Sequence, residues 1–290
     1  MRKLKLVIAY EGTSYVGWQR QATGSSIQGC LETALGEIDG GVVDAVGAGR
    51  TDAGVHALGQ VVSVRLRRHI AVDALVRGVN SKLPDDIRLL TAEPTPETFH
   101  ARFDAKAKVY RYQLIRGEMM SPFIRRYGWL HRSPLDVDQM HAAGQVLVGQ
   151  HDFASFQGAG SATHTTVRRL FRLSVSRVSA GQLLAESGGT GDMIVIEVRG
   201  SGFLRHMVRV IVGTLVEVGL GRWSKADVER ALRVGTREAA GPTAPPQGLF
   251  LTRVEYGRCL FPERRVSAPA VQSLDLVEES IPANNASLGR

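Results

Sequence analysis

Cysteine is nearly absent from these 290 residues: Cys30 and Cys259 are the only two. Such a pair builds no disulfide framework, and neither cysteine stands at metal-ligand spacing from another donor. A reducing compartment suits such a chain, so a cytoplasmic location is expected. Long apolar runs are also lacking; none approaches the roughly 20 residues that cross a bilayer. The N-terminus starts basic at Arg2-Lys3, but its apolar stretch runs straight into Glu11-Gly12, which predicts a strand and not a signal peptide. The eight histidines show no metal spacing with cysteine or carboxylate, so no metal is expected. Ser155, in Asp152-Phe153-Ala154-Ser155-Phe156, has no GxSxG elbow around it, which leaves hydrolase chemistry unsupported.

What is present is ordinary for a folded chain. Hydrophobic residues make up 43% and charged residues 22%, which excludes a disordered or fibrous protein. The length fits one large domain or two small ones. The net charge is +8. In residues 257–290, Arg258, Arg264, Arg265 and Arg290 balance Glu263, Asp275, Glu278 and Glu279, so the whole excess lies before that tail. The tail's end is poor in large apolar residues and is expected to be disordered, and Asn285-Ala286-Ser287 is read as a chance sequon. Basic residues cluster at Arg65/Arg67/Arg68, Lys106/Lys108/Arg111, Arg125/Arg126/Arg132, Arg168/Arg169/Arg172 and Arg199/Arg205/Arg209. A polyanion would use them for phosphate contacts, though a solvated basic surface explains the charge equally well. No strongly basic amphipathic helix points to a membrane surface.

The apolar pattern reads as βαββαβ twice. In the first half, strands are expected at Leu4–Tyr10, Val42–Val46, Gln60–Leu66 and Ile87–Leu90. A helix capped by Ser25/Ser26 carries Ile27, Leu31, Leu35 and Ile38 on one face, and a second spans Val72–Val79. In the second half, Lys108–Ile115, Phe171–Val178, Met193–Val198 and Leu249–Tyr256 read as strands. Helices are expected at Asp136–Val148, at Phe203–Val218 and after the capping box Ser224–Asp227, and a Gly-rich hairpin at Ser187–Gly191. The fold class is therefore α+β: two ferredoxin-like halves, 1–105 and 106–256, with joined sheets, helices on one side and a cleft between the halves. Residues 257–290 form the tail.

The most unusual stretch is Val46-Gly47-Ala48-Gly49-Arg50-Thr51-Asp52-Ala53-Gly54-Val55-His56-Ala57, between two expected strands. Its glycines permit tight turns and hold one cation, one carboxylate and one imidazole on a loop. It completes neither GxGxxG nor GxxxxGK[ST], and a strand follows where a phosphate loop needs a helix. A plain Asp turn and a catalytic loop both remain open on composition. Arg209 alone reads as a helix-surface charge, Tyr110 and Tyr112 as sheet aromatics, and Leu249 as core.

Gly49 through Ala57 resembles, at all nine positions, the catalytic motif of the TruA-type tRNA pseudouridine synthases. The similarity continues through Tyr15–Gln21, Phe99–Phe103, Lys108–Tyr112, Phe203–Gly213 and Gly248–Leu251, in the expected order over roughly residues 3–256. Within that span, Asp104 and the Gly/Ser/Thr-rich stretch 157–166 are departures, and neither touches the matched catalytic set.

The resemblance implies a cofactor-free isomerase, working as a homodimer on tRNA, that converts uridines of the anticodon stem-loop at positions 38, 39 and 40. Asp52 would be the nucleophile or initiating base, by attack on C1′, addition to C6, or removal of the 2′ proton. Arg209 would be its cationic partner. Tyr110 would stack under the uracil and take part in the last deprotonation, and Leu249 would form the opposite apolar wall. Arg50 would help extrude the base and hold the phosphodiester, and Arg205 is carried over as a further substrate-binding residue. His56 is read as packing or hydrogen bonding inside the motif. The chemistry is consistent: a carboxylate can form covalent intermediates and move protons without a metal. The alternatives are a non-catalytic RNA-binding module of this fold and a synthase for another tRNA position.

Overall fold

The computed structural model describes residues 1–160, 163–179 and 192–257. The expected hairpin at Ser187–Gly191 and the tail 258–290 lie outside the described residues.

Strand β1 (Arg2–Tyr10) turns Leu4, Leu6, Ile8 and Tyr10 inward, the period-2 burial of a strand with one covered face. Helix α1 (Ile27–Asp39) follows; the Ser26 hydroxyl accepts from the Gly29 N–H, a cap worth about 1 kcal/mol. The half continues through β2 (Val46–Gly47), β3 (His56–Leu66), α2 (Val72–Asn80) and β4 (Ile87–Pro94). The second half runs β5 (Ala105–Arg116), β6 (Trp129–His131), α3 (Val137–Gly144), β7 (Gly149–Asp152), β8 (Val167–Ser179), β9 (Asp192–Gly200), α4 (Met207–Gly219), α5 (Lys225–Val234) and β10 (Leu249–Tyr256).

The strands form one sheet in the order β4-β1-β3-β10-β5-β9-β8-β7, with β2 on β3 and β6 on β5. Within it lie the two βαββαβ halves, β4-β1-β3-β2 and β10-β5-β9-β8. Their junction explains the one expected strand that is largely missing. β1 occupies one edge of β3 along its length, from Arg2↔Leu66 to Tyr10↔Ala57. On the other edge, β2 holds only Val46↔Ser63 and Gly47↔Val62, while β10 lies parallel at Phe250↔His56 and Leu251↔Ala57. A full strand at Val42–Val46, as the apolar pattern suggested, does not form: Val43 is buried but Val42 is 95% exposed. The helix expected from Phe203 begins at Met207, and the strands β6 and β7 were not foreseen because each has only a few residues.

The helices' apolar faces merge with one face of the sheet into a single cluster that runs from Leu4 and Leu31 to Ile194 and Leu215. On the opposite face a small cluster, Ala48, Val61 and Ala101 with Phe99 and Tyr256 beside it, lies under the segment before β5. Met1–Gly257 form one unit.

Helix α4 is apolar on nearly every side and is buried accordingly. Its outer side is covered by the strap 241–245. Gly241 N–H donates to Thr214 Oγ1 at 2.9 Å, and a Cβ at Gly213 would lie 1.8 Å from the Pro242 carbonyl oxygen. Gly213→Ala should therefore lower the unfolding free energy by about 1–2 kcal/mol, since overpacking outweighs the roughly 1 kcal/mol that alanine gains inside a helix. Urea unfolding measures this; an unchanged or higher midpoint would mean that the strap is not held against α4.

Candidate active site

The loop after β2 is pinned on both sides of Asp52. Gln60 Nε2 donates to the Gly49 carbonyl at 2.7 Å, the Trp18 N–H donates to the Thr51 carbonyl at 3.1 Å, and Tyr10 Oη lies 2.8 Å from Thr51 Oγ1. Gly17, at φ +108°, brings its backbone against the loop; a Cβ there would meet the Thr51 carbonyl oxygen at 2.6 Å. Val55 N–H then bonds back to the Asp52 carbonyl at 3.1 Å, closing the turn. The similar segment Tyr15–Gln21 thus serves as the floor of the loop.

His56 fastens the loop's far end. It is 1% exposed, accepts from the Gly12 N–H at Nδ1 (3.0 Å), and has Nε2 at 2.7 Å from the Arg126 carbonyl and 3.1 Å from that of Gln247. Those partners fix the neutral tautomer with its proton on Nε2. The ring also stacks on Phe250 at 4.7 Å. Burial holds the imidazole below its ordinary value of 6.5, against the opposing pull of the Arg126 carbonyl and Glu11. This is a structural buckle between the loop, residues 11–12, Arg126 and the turn before β10.

The second half supplies the groups that face Asp52. Arg209, in the first turn of α4, is clamped to the strap: its Nε donates to the Ala244 carbonyl at 2.7 Å, and the Ala244 N–H returns a bond to the Arg209 carbonyl at 3.1 Å. Its Nη1 then lies 3.7 Å from Asp52 Oδ2. His206 Nε2 lies 3.7 Å from the other carboxylate oxygen. Both separations are ion-pair distances, longer than hydrogen bonds. Sequence reading quoted His206 inside a motif and gave it no role. Helical spacing does not report it, because His206 precedes α4 in a left-handed conformation at φ +59°. Burial keeps the His206 imidazole below its ordinary value; Asp52 opposes this, and Arg209, Arg205 and Arg237 add to it.

Tyr110 on β5 is 6% exposed and meets Phe203 edge-on at 5.0 Å. Burial first, then Tyr10 and Asp52, push its hydroxyl above the usual phenol value, so it is a neutral phenol, and it makes no hydrogen bond among the described residues. Leu249 is buried opposite Tyr112, while Leu251 faces Tyr110. Arg50 is exposed on the loop without a side-chain hydrogen bond or ion pair among the described residues. Arg205 points elsewhere: Nη1 donates to the Ala159 carbonyl at 3.0 Å, and its own carbonyl accepts from the Gly158 N–H at 2.8 Å. The structure thus brings Asp52 and Arg209 together, adds His206, and ties Arg205 to the segment 158–160. Among the described residues, no three His, Cys, Asp or Glu side chains are grouped to hold a metal ion.

A family model described as tRNA pseudouridine synthase matches residues 6–104 and 143–257, which carry Asp52, His206, Arg209 and Leu249. The chain belongs to the tRNA pseudouridine synthase family. Curated relatives named tRNA pseudouridine synthase A agree over nearly their whole length. The relative from Geotalea uraniireducens is 44% identical over 256 residues, 88% of this chain and 100% of its own. Those from Geobacter sulfurreducens and Thermoanaerobacter pseudethanolicus, at 43% and 39%, also cover 88% of this chain and 100% of their own. The residues matched by the family model stop at Gly257, the end of the unit that holds the site.

His56 also makes stability depend on pH. Its folded value lies below the unfolded 6.5, so the unfolded chain binds more protons on acidification, and stability falls as pH drops through about 6.5. Urea unfolding between pH 7.5 and 5.5 should show that loss, with a shallower pH slope in His56→Gln. Equal slopes in the two proteins would remove His56 from the account.

Proposed function

We propose that this chain isomerises uridine to pseudouridine in tRNA, in the anticodon stem-loop at positions 38, 39 and 40. The observation that carries the reading is the Asp52 carboxylate, held by its loop from one half and faced by Arg209 from the other. Beside it lies Tyr110, whose hydroxyl makes no hydrogen bond among the described residues.

The bond from ribose C1′ to uracil N1 breaks, the base turns in the pocket, and C1′ joins C5. N1 gains a proton and C5 loses one, so the product has the substrate's composition and no oxidant or reductant is consumed. A cofactor is not required by that balance. Asp52 initiates cleavage, and Arg209 steadies its negative charge across the cleft. A target uridine in a helical stem must leave its stack before Asp52 can reach C1′. Exposed Arg50 assists that extrusion from the rim. The extruded base stacks on Tyr110, with Leu249 in the opposing apolar wall. Neutral Tyr110 can donate a proton but not accept one directly, so a role in C5 deprotonation requires it to pass its own proton to a second base. Arg205, bound to the segment 158–160, shapes the substrate rim.

We further propose that halves 1–105 and 106–256 act as the two walls of the cleft, and that the protein is a cytoplasmic homodimer, following the family resemblance. Among the described residues, no helix is long and apolar enough to cross a membrane. The carbons of the reaction provide a direct assay, because tritium at uracil C5 is released to water as pseudouridine forms. Asp52→Ala should abolish release from a tRNA transcript with uridines at 38–40 and leave tRNA binding within a few-fold. Release near the parent rate would overturn the initiating role of Asp52. Arg209→Ala should lower kcat far more than it raises KM, whereas a pure rise in KM would make Arg209 a phosphate contact.

A further inference from the structure

Several cations near the site have carboxylate partners. Arg111 pairs with Glu197 at 3.3 Å, Arg126 with Glu11 at 3.4 Å, and Arg199 with Glu255 at 2.7 Å. Lys108 is different. It lies on β5 two residues before Tyr110, so the two side chains leave the same face of the strand, with origins about 7 Å apart. Its Nζ is at the catalytic loop, 3.4 Å from where a Gly49 Cβ would stand. The side chain is half-buried, yet the ammonium makes no hydrogen bond or ion pair among the described residues.

The charges around Lys108 are of its own sign. Burial, then Arg102 from the segment before β5 and Arg168 from β8, push it down to about 8, with no carboxylate among the causes. Arg168 is itself partly desolvated; its Nη1 donates to the Thr165 and Val167 carbonyls at 2.9 and 2.7 Å, and it has no carboxylate partner among the described residues. Arg102 lies over the Phe103 ring, its guanidinium carbon 5.7 Å from the centroid. A half-buried ammonium between two guanidiniums costs folding free energy unless an anion joins it. The separation from Tyr110 suits the span from a stacked base to the phosphodiester of the same nucleotide.

We propose that Lys108, with Arg102 and Arg168 around it, is the seat of an RNA phosphodiester next to the extruded uridine. The seat rests on the RNA reading above, and it sets the register of the strand: a phosphate fixed over Gly49 leaves one nucleotide within reach of Tyr110 and Asp52. Lys108 touches the backbone and not the base, so it contributes affinity and register without sequence readout.

The test uses the full chain with Asp52→Asn for binding, and the parent enzyme for turnover, on an anticodon stem-loop RNA with uridines at 38–40. Adding Lys108→Met should weaken binding about 10-fold and reduce the slope of log Kd against log salt by about 0.7–1, the share of one phosphate contact. In the parent background it should raise KM with kcat nearly unchanged, and Lys108→Arg should restore most of the affinity. An unchanged salt slope, or a fall in kcat at constant KM, would overturn the seat. Should Lys108→Met fail to fold, single methylphosphonates beside the target uridine decide the matter with otherwise unaltered protein. Affinity lost at one linkage and at no other, in the parent and in Lys108→Arg alike, supports the seat; no loss at any flanking linkage overturns it. If the parent neither binds this RNA nor releases tritium, the functional reading fails. Normal turnover with an unaffected salt slope in Lys108→Met rejects the seat alone.

Discussion

The structure depends on how one strand edge is shared. β3 gives its far end to two residues of β2 and its near end to β10, which is also the edge strand of the second half. Because β10 enters at His56 and Ala57, the loop carrying Asp52 ends where the second half begins. A longer β2 would have filled that edge and kept the halves apart. The same sharing explains why His56 reaches Gln247, in the turn just before β10, and why the imidazole must stay neutral there.

Electrostatics follow from that junction. Asp52 brings one negative charge to a cleft whose other wall offers Arg209 and His206, and each carboxylate oxygen faces a different group. Arg209 cannot drift freely, because two hydrogen bonds fix it to Ala244 on the strap. The strap is in turn set by its close approach to Gly213. The side chain that faces the carboxylate is therefore positioned by packing about one turn of helix further along α4, through the strap. Placement of this kind costs little reorganisation when charge develops, which is how fixed dipoles and cations contribute most to a reaction.

Much of this was legible in the sequence. The alternation Leu4, Leu6, Ile8 and the stepping Ile27, Leu31, Leu35 each name their element, since burial on one face leaves a period that the residues must obey. Nine consecutive motif residues marked the loop, and the match in the Phe203–Gly213 segment marked Arg209. What was not legible depends on distant partners. The edge competition that shortens β2 involves β10, about 200 residues further on, and no local pattern reports it. The buckle at His56 uses three backbone groups, which leave no trace in side-chain chemistry. The tie of Arg205 to residues 158–160 was not legible either, because it follows from the left-handed turn before α4.

That turn connects local conformation to the site. His206 has φ +59°, unlike every other described non-glycine residue, and caps α4 without a side-chain hydrogen bond. A non-glycine residue held there costs on the order of 1–3 kcal/mol, so the surroundings must impose it. They do so from both sides: the Gly158 N–H bonds the carbonyl of Arg205, and a Cβ at Gly158 would lie 2.5 Å from His206 Nδ1, so only a glycine lets the ring sit there. An ordinary helical backbone at 206 would start α4 earlier and carry the imidazole away from Asp52 Oδ1. The strain is thus coupled to the second cation-capable group at the carboxylate, and the segment 158–160, which sequence alone could not assign, is the support that maintains it.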